Sequence, residues 1–313
     1  MDRRSFLRAG AVTVAATSLG GVASAIPAKP KKTQPKGPFH HVLGEESDSP
    51  LKVRFLGTGA ADWNGKDERG DLRRLSSVLL DGAILIDFTP TDEDMLPEGC
   101  QPDAIFYTHS HGDHYNPAAA LRLGLKRVFL GATWIERARE DFAKASSETG
   151  LPVPEITPLA PGDKVTISGM TLTALPANHA TGDINELTLM YLVEKGHVRV
   201  MYATDTGGIP AIAARIVGID PHVKGRPITG LIMEATMGLD GDEDFRIFTH
   251  SSVRTVERTV DMLLREGRYT PADGQSVYLT HLARTLHPRQ SDINAFLPRP
   301  LVAAKDGQEV IFR

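Results

Sequence analysis

From Leu51 onward, apolar residues gather into short runs that stop at glycine turns or at isolated polar residues. "KVRFLGTGA" reads as a strand closing on a glycine turn, and "SSVLLDGAILIDF" as two strands around Asp81-Gly82, a strong hairpin signal. "AIFYT" is a further strand, and "KRVFLGA" leads into a helical stretch from about Thr133 to Ser147. "KVTISGMTLTALPA" alternates on either side of Ser168-Gly169-Met170, and "LTLMYLVEKGHVRVMYATDTGG" forms another hairpin, turning at Lys195-Gly196. A short helix near Pro210–Val217, the run "ITGLIMEAT", a helix from about Ser251 to Arg265, the strand "SVYLTH" and the C-terminal "DGQEVIFR" complete the pattern. Antiparallel hairpins outnumber strand–helix–strand units in the first half, and helices enter between strands later. The pattern predicts an α+β chain of two sheets packed face to face with helices outside, and no domain boundary inside 51–313.

The residues before Leu51 carry a different pattern. "MDRRSFLRAGAVTVAATSLGGVASA" pairs Arg3 with Arg4, continues through a weakly apolar stretch and ends at the small residues Ala23-Ser24-Ala25. It resembles a twin-arginine export signal cleaved near Ala25. The stretch is too short and glycine-rich to span a bilayer comfortably, so no stable membrane anchor is expected. Residues 26–50, rich in proline and lysine, read as a flexible linker. The expected location is therefore periplasmic or secreted, with the twin-arginine machinery as a partner.

Composition adds limits. At 41% apolar and 24% charged over 313 residues, the chain is that of a soluble globular protein. The net charge of −4 gives no support to general nucleic-acid binding. The single cysteine, Cys100, excludes an internal disulfide and reads as a plain buried or loop cysteine.

The chemistry concentrates in "FYTHSHGDHYN", which follows the "AIFYT" run. His109 and His111 lie two apart, so in an extended chain both imidazoles face one side. Gly112 allows a sharp turn that brings Asp113 and His114 to a second position. Imidazoles with a carboxylate suit zinc, with manganese or iron also compatible. Three more ligand-type residues stand where apolar strands end: His179 after "LTALPAN", Asp205 in "MYATDTGG" and His281 in "VYLTHLAR".

This order, HxHxDH, a lone His, an Asp in a "DT" turn and a His after "LT", resembles the metallo-β-lactamase superfamily over residues 51–313. The resemblance implies an αββα sandwich with a dinuclear site at one edge. It assigns His109, His111 and His179 to one ion, Asp113, His114 and His281 to the other, and Asp205 to a bridge, with Asp113 also counted as catalytic. Two such ions, about 3.5–4 Å apart, would clamp a displacement and lower the pKa of a bound water towards ~7. Hydrolysis of a small-molecule substrate is the expected reaction.

Four further segments select a branch. "GTGAADW" lacks the third glycine of a dinucleotide loop and resembles the opening of the ribonuclease Z and phosphoribosyl cyclic phosphodiesterase branch. "MEAT" (Met233–Thr236) resembles that branch's "HEAT" segment with methionine in place of histidine. "THSS" (Thr249–Ser252) resembles its "HST" segment, which makes His250 the candidate general acid; the competing reading is a helix-start residue with Ser251 as cap. Only 25 residues separate His179 from Asp205, too few for the long arm that ribonuclease Z inserts there. The C-terminal segment "FLPRPLVAAKDGQEVIF" resembles the ending of the cyclic phosphodiesterases and of the related pyrroloquinoline quinone biosynthesis protein. The expectation is an exported phosphodiesterase acting on a small cyclic or nucleotide-type phosphodiester. A lactonase or β-lactamase-type acyl hydrolase, and a non-catalytic exported metal- or cofactor-binding protein, are the alternatives. Arg73, Arg74 and Arg284 are read as surface arginines, and His197, His222 and His287 as solvated loop residues.

Overall fold

The computed structural model describes residues 49–223, 225–241 and 244–313. The signal-like segment 1–25 and all but the last two residues of the linker 26–50 lie outside them.

The first sheet starts with β1 (Leu51–Gly57), β2 (Ser77–Leu80) and β3 (Ile84–Ile86), paired antiparallel. It continues in parallel through β4 (Ala104–Phe106), β5 (Arg127–Gly131) and β6 (Glu155–Leu159). The second sheet repeats this plan. The antiparallel strands β7 (Lys164–Ile167), β8 (Met170–Pro176), β9 (Leu189–Lys195) and β10 (Val198–Ala203) come first. The parallel β11 (Gly230–Glu234), β12 (Val277–Thr280) and β13 (Leu301–Ala303) follow. β14 (Glu309–Phe312) then crosses back to pair with β1, so that each sheet has seven strands.

Parallel pairing in the first half is more extensive than the hairpin-dominated pattern predicts. Helix α1 (Pro117–Arg122) links β4 to β5, and α2 (Ile135–Thr149) links β5 to β6, which makes both connections crossovers. A six-residue helix opened by Pro117 leaves little periodic signal, and Pro158 masks β6, an edge strand where a missing N–H is tolerated. α2 buries Ala138, Phe142 and Ala145 along one face and stops at Gly150, whose φ of 71° suits a residue without Cβ.

Three apolar layers hold the sandwich. Between the sheets, Phe106 stacks on Phe129 at 4.5 Å and meets Tyr191 of the opposite sheet edge-on at 5.6 Å. Outside the first sheet, α1 and α2 bury Ala120, Leu121 and Phe142 with Leu85 and Ile105. Outside the second lie α3 (Ala211–Val217) and α4 (Val253–Arg265). α4 turns Val253, Val256, Val260 and Leu263 inward, at the 3- and 4-residue spacing of one helix face. Its N-cap is Ser252, whose side chain accepts the Thr255 amide at 3.1 Å, not Ser251. Ser251 instead donates to Thr206 O at 2.8 Å. Among the described residues, no helix is long and apolar enough to cross a membrane.

Candidate metal centre

The ends of strands from both sheets converge at one edge of the sandwich. His109, His111, Asp113 and His114 form the turn after β4, which closes on itself through the His114 amide and His111 O at 3.0 Å. His179 follows β8, Asp205 follows β10 and His281 follows β12. All seven residues singled out by their spacing and strand-end positions come together here. His111 Nδ1 lies 2.9 Å from His109 Nε2 and 3.1 Å from His179 Nε2. His114 Nε2 lies 3.3 Å from His281 Nε2, 3.3 Å from Asp113 Oδ2 and 3.0 Å from Asp205 Oδ2. Asp205 stands between the two groups, with Oδ1 3.8 Å from His179 and Oδ2 3.3 Å from His281.

The opposite ring nitrogens decide what these atoms can do. Thr108 Oγ1 donates its proton to Asp87 Oδ2 at 2.8 Å, so His109 Nδ1–H must be the donor in the 2.9 Å contact with Thr108 Oγ1. His114 Nδ1–H donates to Asp87 at 2.8 Å, and His179 Nδ1–H to Thr249 O at 3.2 Å. Thr236 gives its proton to Glu234, leaving His281 Nδ1–H to donate to Thr236 Oγ1 at 2.8 Å. Each of these four imidazoles is thereby fixed in the tautomer that turns a lone pair towards the cluster, the usual outer-shell arrangement of metal-binding histidines. Lone pairs about 3 Å apart repel, and a cation between them removes the conflict.

The electrostatics call for a cation. Burial drives the His109 proton affinity well below that of a free imidazole, with the neighbouring His114 adding to the effect. Burial likewise lowers that of His179. His114 goes the other way: burial works against its charge, but Asp205, Asp113 and Asp87 raise its proton affinity well above that of a free imidazole. Burial works against ionisation of Asp113 and Asp205, yet the surrounding imidazoles hold both carboxylates well below their ordinary range. A divalent ion such as zinc would displace the His114 proton and leave neutral imidazoles and ionised carboxylates, its usual donor set. The backbone is also strained here. Asp87, Asp205 and His281 have φ of 56°, 46° and 52°, left-handed conformations that cost about 1–3 kcal/mol each and that cluster at functional sites.

His250 stands at the rim of the cluster. Its ring lies 4.9 Å from that of His179 and 5.8 Å from that of His281. Nδ1–H donates to Glu234 Oε2 and Oε1 at 3.1 and 3.2 Å, and Nε2 has no bond among the described residues. Burial pulls its pKa down, but the Glu234 charge and hydrogen bond outweigh it and push the value up to about 9.

Sequence reasoning missed the supporting residues Asp87, Thr108, Glu186, Glu234 and Thr236. Glu186 accepts Ser110 N at 2.8 Å, Ser110 Oγ at 2.5 Å and Thr181 Oγ1 at 3.0 Å, tying the histidine turn to the loop after His179. The available signals were the position of Asp87 at the end of "AILID" and that of Glu234 within the "MEAT" segment. Two other expectations are corrected. Arg73 is buried rather than at the surface, with Nη1 donating to Thr58 Oγ1 at 2.5 Å and Ala304 O at 2.9 Å, and burial lowers its pKa to about 10. His287 is buried rather than solvated, with Nε2 at 2.6 Å from Ala235 O. Arg74 is engaged by Asp94 and Asp306, and Arg284 by Asn64 and the Lys66 carbonyl, so neither stands ready for a phosphate.

The comparisons with known proteins follow the same lines. No curated protein matches the sequence. Among solved structures, the metallo-beta-lactamase fold protein YhfI from Bacillus subtilis is similar, with a TM-score of 0.59 at 17% identity over 84% of this chain and 99% of that one. Zn(2+)-bound PqqB from Methylobacterium extorquens has a TM-score of 0.54 at 17% identity, over 83% and 99% of the two chains. A long-form RNase Z from yeast has a TM-score of 0.54 at 13% identity, over 85% of this chain and 42% of that one. At these identities the likeness shows the fold, two mixed sheets between helices. The Beta-lactamase superfamily domain model matches residues 84–265, a span that holds every proposed ligand but His281, and this chain belongs to that superfamily, with the fold of its metal-dependent hydrolases.

Proposed function

We propose that the protein is a phosphodiesterase acting on a small cyclic or nucleotide-type phosphodiester. His109, His111 and His179 would hold one divalent ion and Asp113, His114 and His281 the other, with Asp205 between them. When bound, such ions supply an activated water and Lewis acidity at the phosphoryl oxygens. The observation that carries the reading is the Glu234–His250 pair. A phosphodiester expels an alkoxide, a poor leaving group without a proton, and this pair places a proton donor at the rim of the cluster.

The chain's own residues then divide the work. Glu234 holds the His250 ring by Nδ1–H and favours its protonated form, leaving Nε2–H for the substrate. The water loses a proton to solvent as its oxygen joins phosphorus; as the ester P–O bond breaks, His250 passes its Nε2 proton to the leaving oxygen and regains one from solvent. Asp87, Thr108 and Thr236 keep the ligand imidazoles in their working tautomers. The twin-arginine-like segment supports the further proposal that this chemistry takes place in the periplasm or outside the cell.

The test is metal content and hydrolysis of bis(p-nitrophenyl) phosphate by the purified protein. About two ions per chain together with cleavage supports the reading. Two ions without phosphodiester cleavage, but with turnover of lactones or β-lactams, would assign the centre to acyl hydrolysis. Two ions and no turnover of either class would leave a binding protein.

A further inference from the structure

The loop that follows β1 is bonded to the chain just beyond His281. Leu282 N donates to Thr58 O at 2.9 Å, and Leu282 O accepts the amide of Ala60 at 3.2 Å and the indole Nε1–H of Trp63 at 2.8 Å. Two residues on, the Arg284 amide meets both carboxylate oxygens of Asp62 at 2.9 Å, and its guanidinium reaches Asn64 Oδ1 at 2.9 Å. The loop is also tied to the segment leading into β2, where Arg74 O accepts the amides of Thr58 at 3.1 Å and Gly59 at 2.7 Å. It thereby links the first sheet to the end of β12 in the second, at the edge that carries the metal centre.

The indole has a place prepared for it. Trp63 is buried over Gly59, where a Cβ would fall 2.6 Å from the indole Cδ1 and 2.9 Å from Arg73 Cβ, so a side chain at 59 would displace the ring. What the loop holds is a strained ligand. His281 has a φ of 52°, a conformation that persists only where its surroundings over-determine it. Thr236 fixes the imidazole through Nδ1, while Thr58, Ala60 and Trp63 fix the backbone that follows. Among the described residues, no hydrogen bond of the loop goes to His109, His111 or His179.

We propose that Trp63 and Asp62 are positioning residues for one ion of the pair, the one assigned to Asp113, His114 and His281. The loop keeps His281 in its strained ligand conformation before the ion arrives, so binding energy is not spent on imposing it. The inference rests on the two-ion assignment above and on no step of the phosphodiester reaction.

The test is stepwise zinc binding by chelator competition, which reads two dissociation constants without turnover; His281→Ala identifies the step that belongs to this ion. In the D62A/W63F double variant the phenyl ring keeps most of the buried volume, and the bonds of Leu282 to Thr58 and Ala60 remain. This ion should bind about 5- to 150-fold more weakly, the equivalent of two hydrogen bonds. The other should stay within about twofold. D62N/W63F restores one acceptor for the Arg284 amide and should recover part of the loss. Equal weakening of both ions would make the loop a general support of the fold and overturn the proposal, as would two unchanged constants. A wild type that takes up a single ion overturns the two-ion assignment and the proposal with it. No substrate enters the measurement, so a protein that cleaves no phosphodiester still supports the proposal if this ion alone is weakened.

Discussion

Replacing His250 by alanine tests the acid role most directly, provided the leaving group is varied. With its pKa pushed up to about 9 by Glu234, the imidazole favours its protonated, proton-donating form at pH 7. A positioned general acid contributes about 10²- to 10⁴-fold, or roughly 3–5 kcal/mol of barrier. That contribution is needed in full only when an alkoxide leaves; nitrophenolate departs without a proton. His250→Ala should therefore lower kcat by 10²- to 10⁴-fold on an alkyl phosphodiester and by about tenfold or less on bis(p-nitrophenyl) phosphate. The pH profile carries the same information. The protonated form is the active one, so kcat on the alkyl substrate should decline as pH rises through the His250 pKa. Glu234→Gln removes the charge that offsets burial, and the decline should move to lower pH. Steady-state kinetics on the two substrates between pH 6 and 10 measures both effects. An equal loss on both leaving groups, or an unmoved alkaline limb in the Glu234 variant, would refute the acid role and leave His250 as a binding or structural residue.

Two further outcomes follow from groups outside the ligand set. Glu186→Ala leaves the part-buried amide of Ser110 without its acceptor and frees the histidine turn, so zinc affinity by chelator competition should fall about 10- to 100-fold, with Glu186→Gln recovering part of it; unchanged affinity would rule out the role. His287 concerns stability. Burial lowers its pKa to about 4 against 6.5 unfolded, so between those values the unfolded chain binds more protons and stability falls as pH falls. From pH 7 to 4 the wild type should lose about 3 kcal/mol more than His287→Gln, read as the difference between their urea-unfolding free energies so that effects common to both cancel. Parallel pH dependences would mean that His287 is not buried neutral.

The legible parts of this molecule are those whose signal is local. The hairpin of β2 and β3 shows in the sequence because Asp81 and Gly82 both adopt left-handed φ, 48° and 73°, at the turn that joins two apolar runs. The HxHxDH turn shows because four donors share six residues. His179, Asp205 and His281 show only through their order along the chain, since one polar residue after an apolar strand looks the same whether or not it meets a metal. Asp87 and Glu234 illustrate the limit. Both are buried carboxylates at strand ends, like Asp205, yet they work behind the ligands, and nothing within a few residues of either distinguishes the two roles. The distinction arises from pairing across the sheets. β4, β8, β10 and β12 deliver the donors to one edge, β3 and β11 deliver the carboxylates behind them, and the parallel neighbours β3–β4 and β11–β12 place Asp87 on His114 and Glu234, by way of Thr236, behind His281. That dependence on non-local pairing also accounts for the strained φ at Asp87, Asp205 and His281. No local preference selects those conformations, so the packed sandwich has to impose them, and the ligand geometry exists only once both sheets have closed on their shared core.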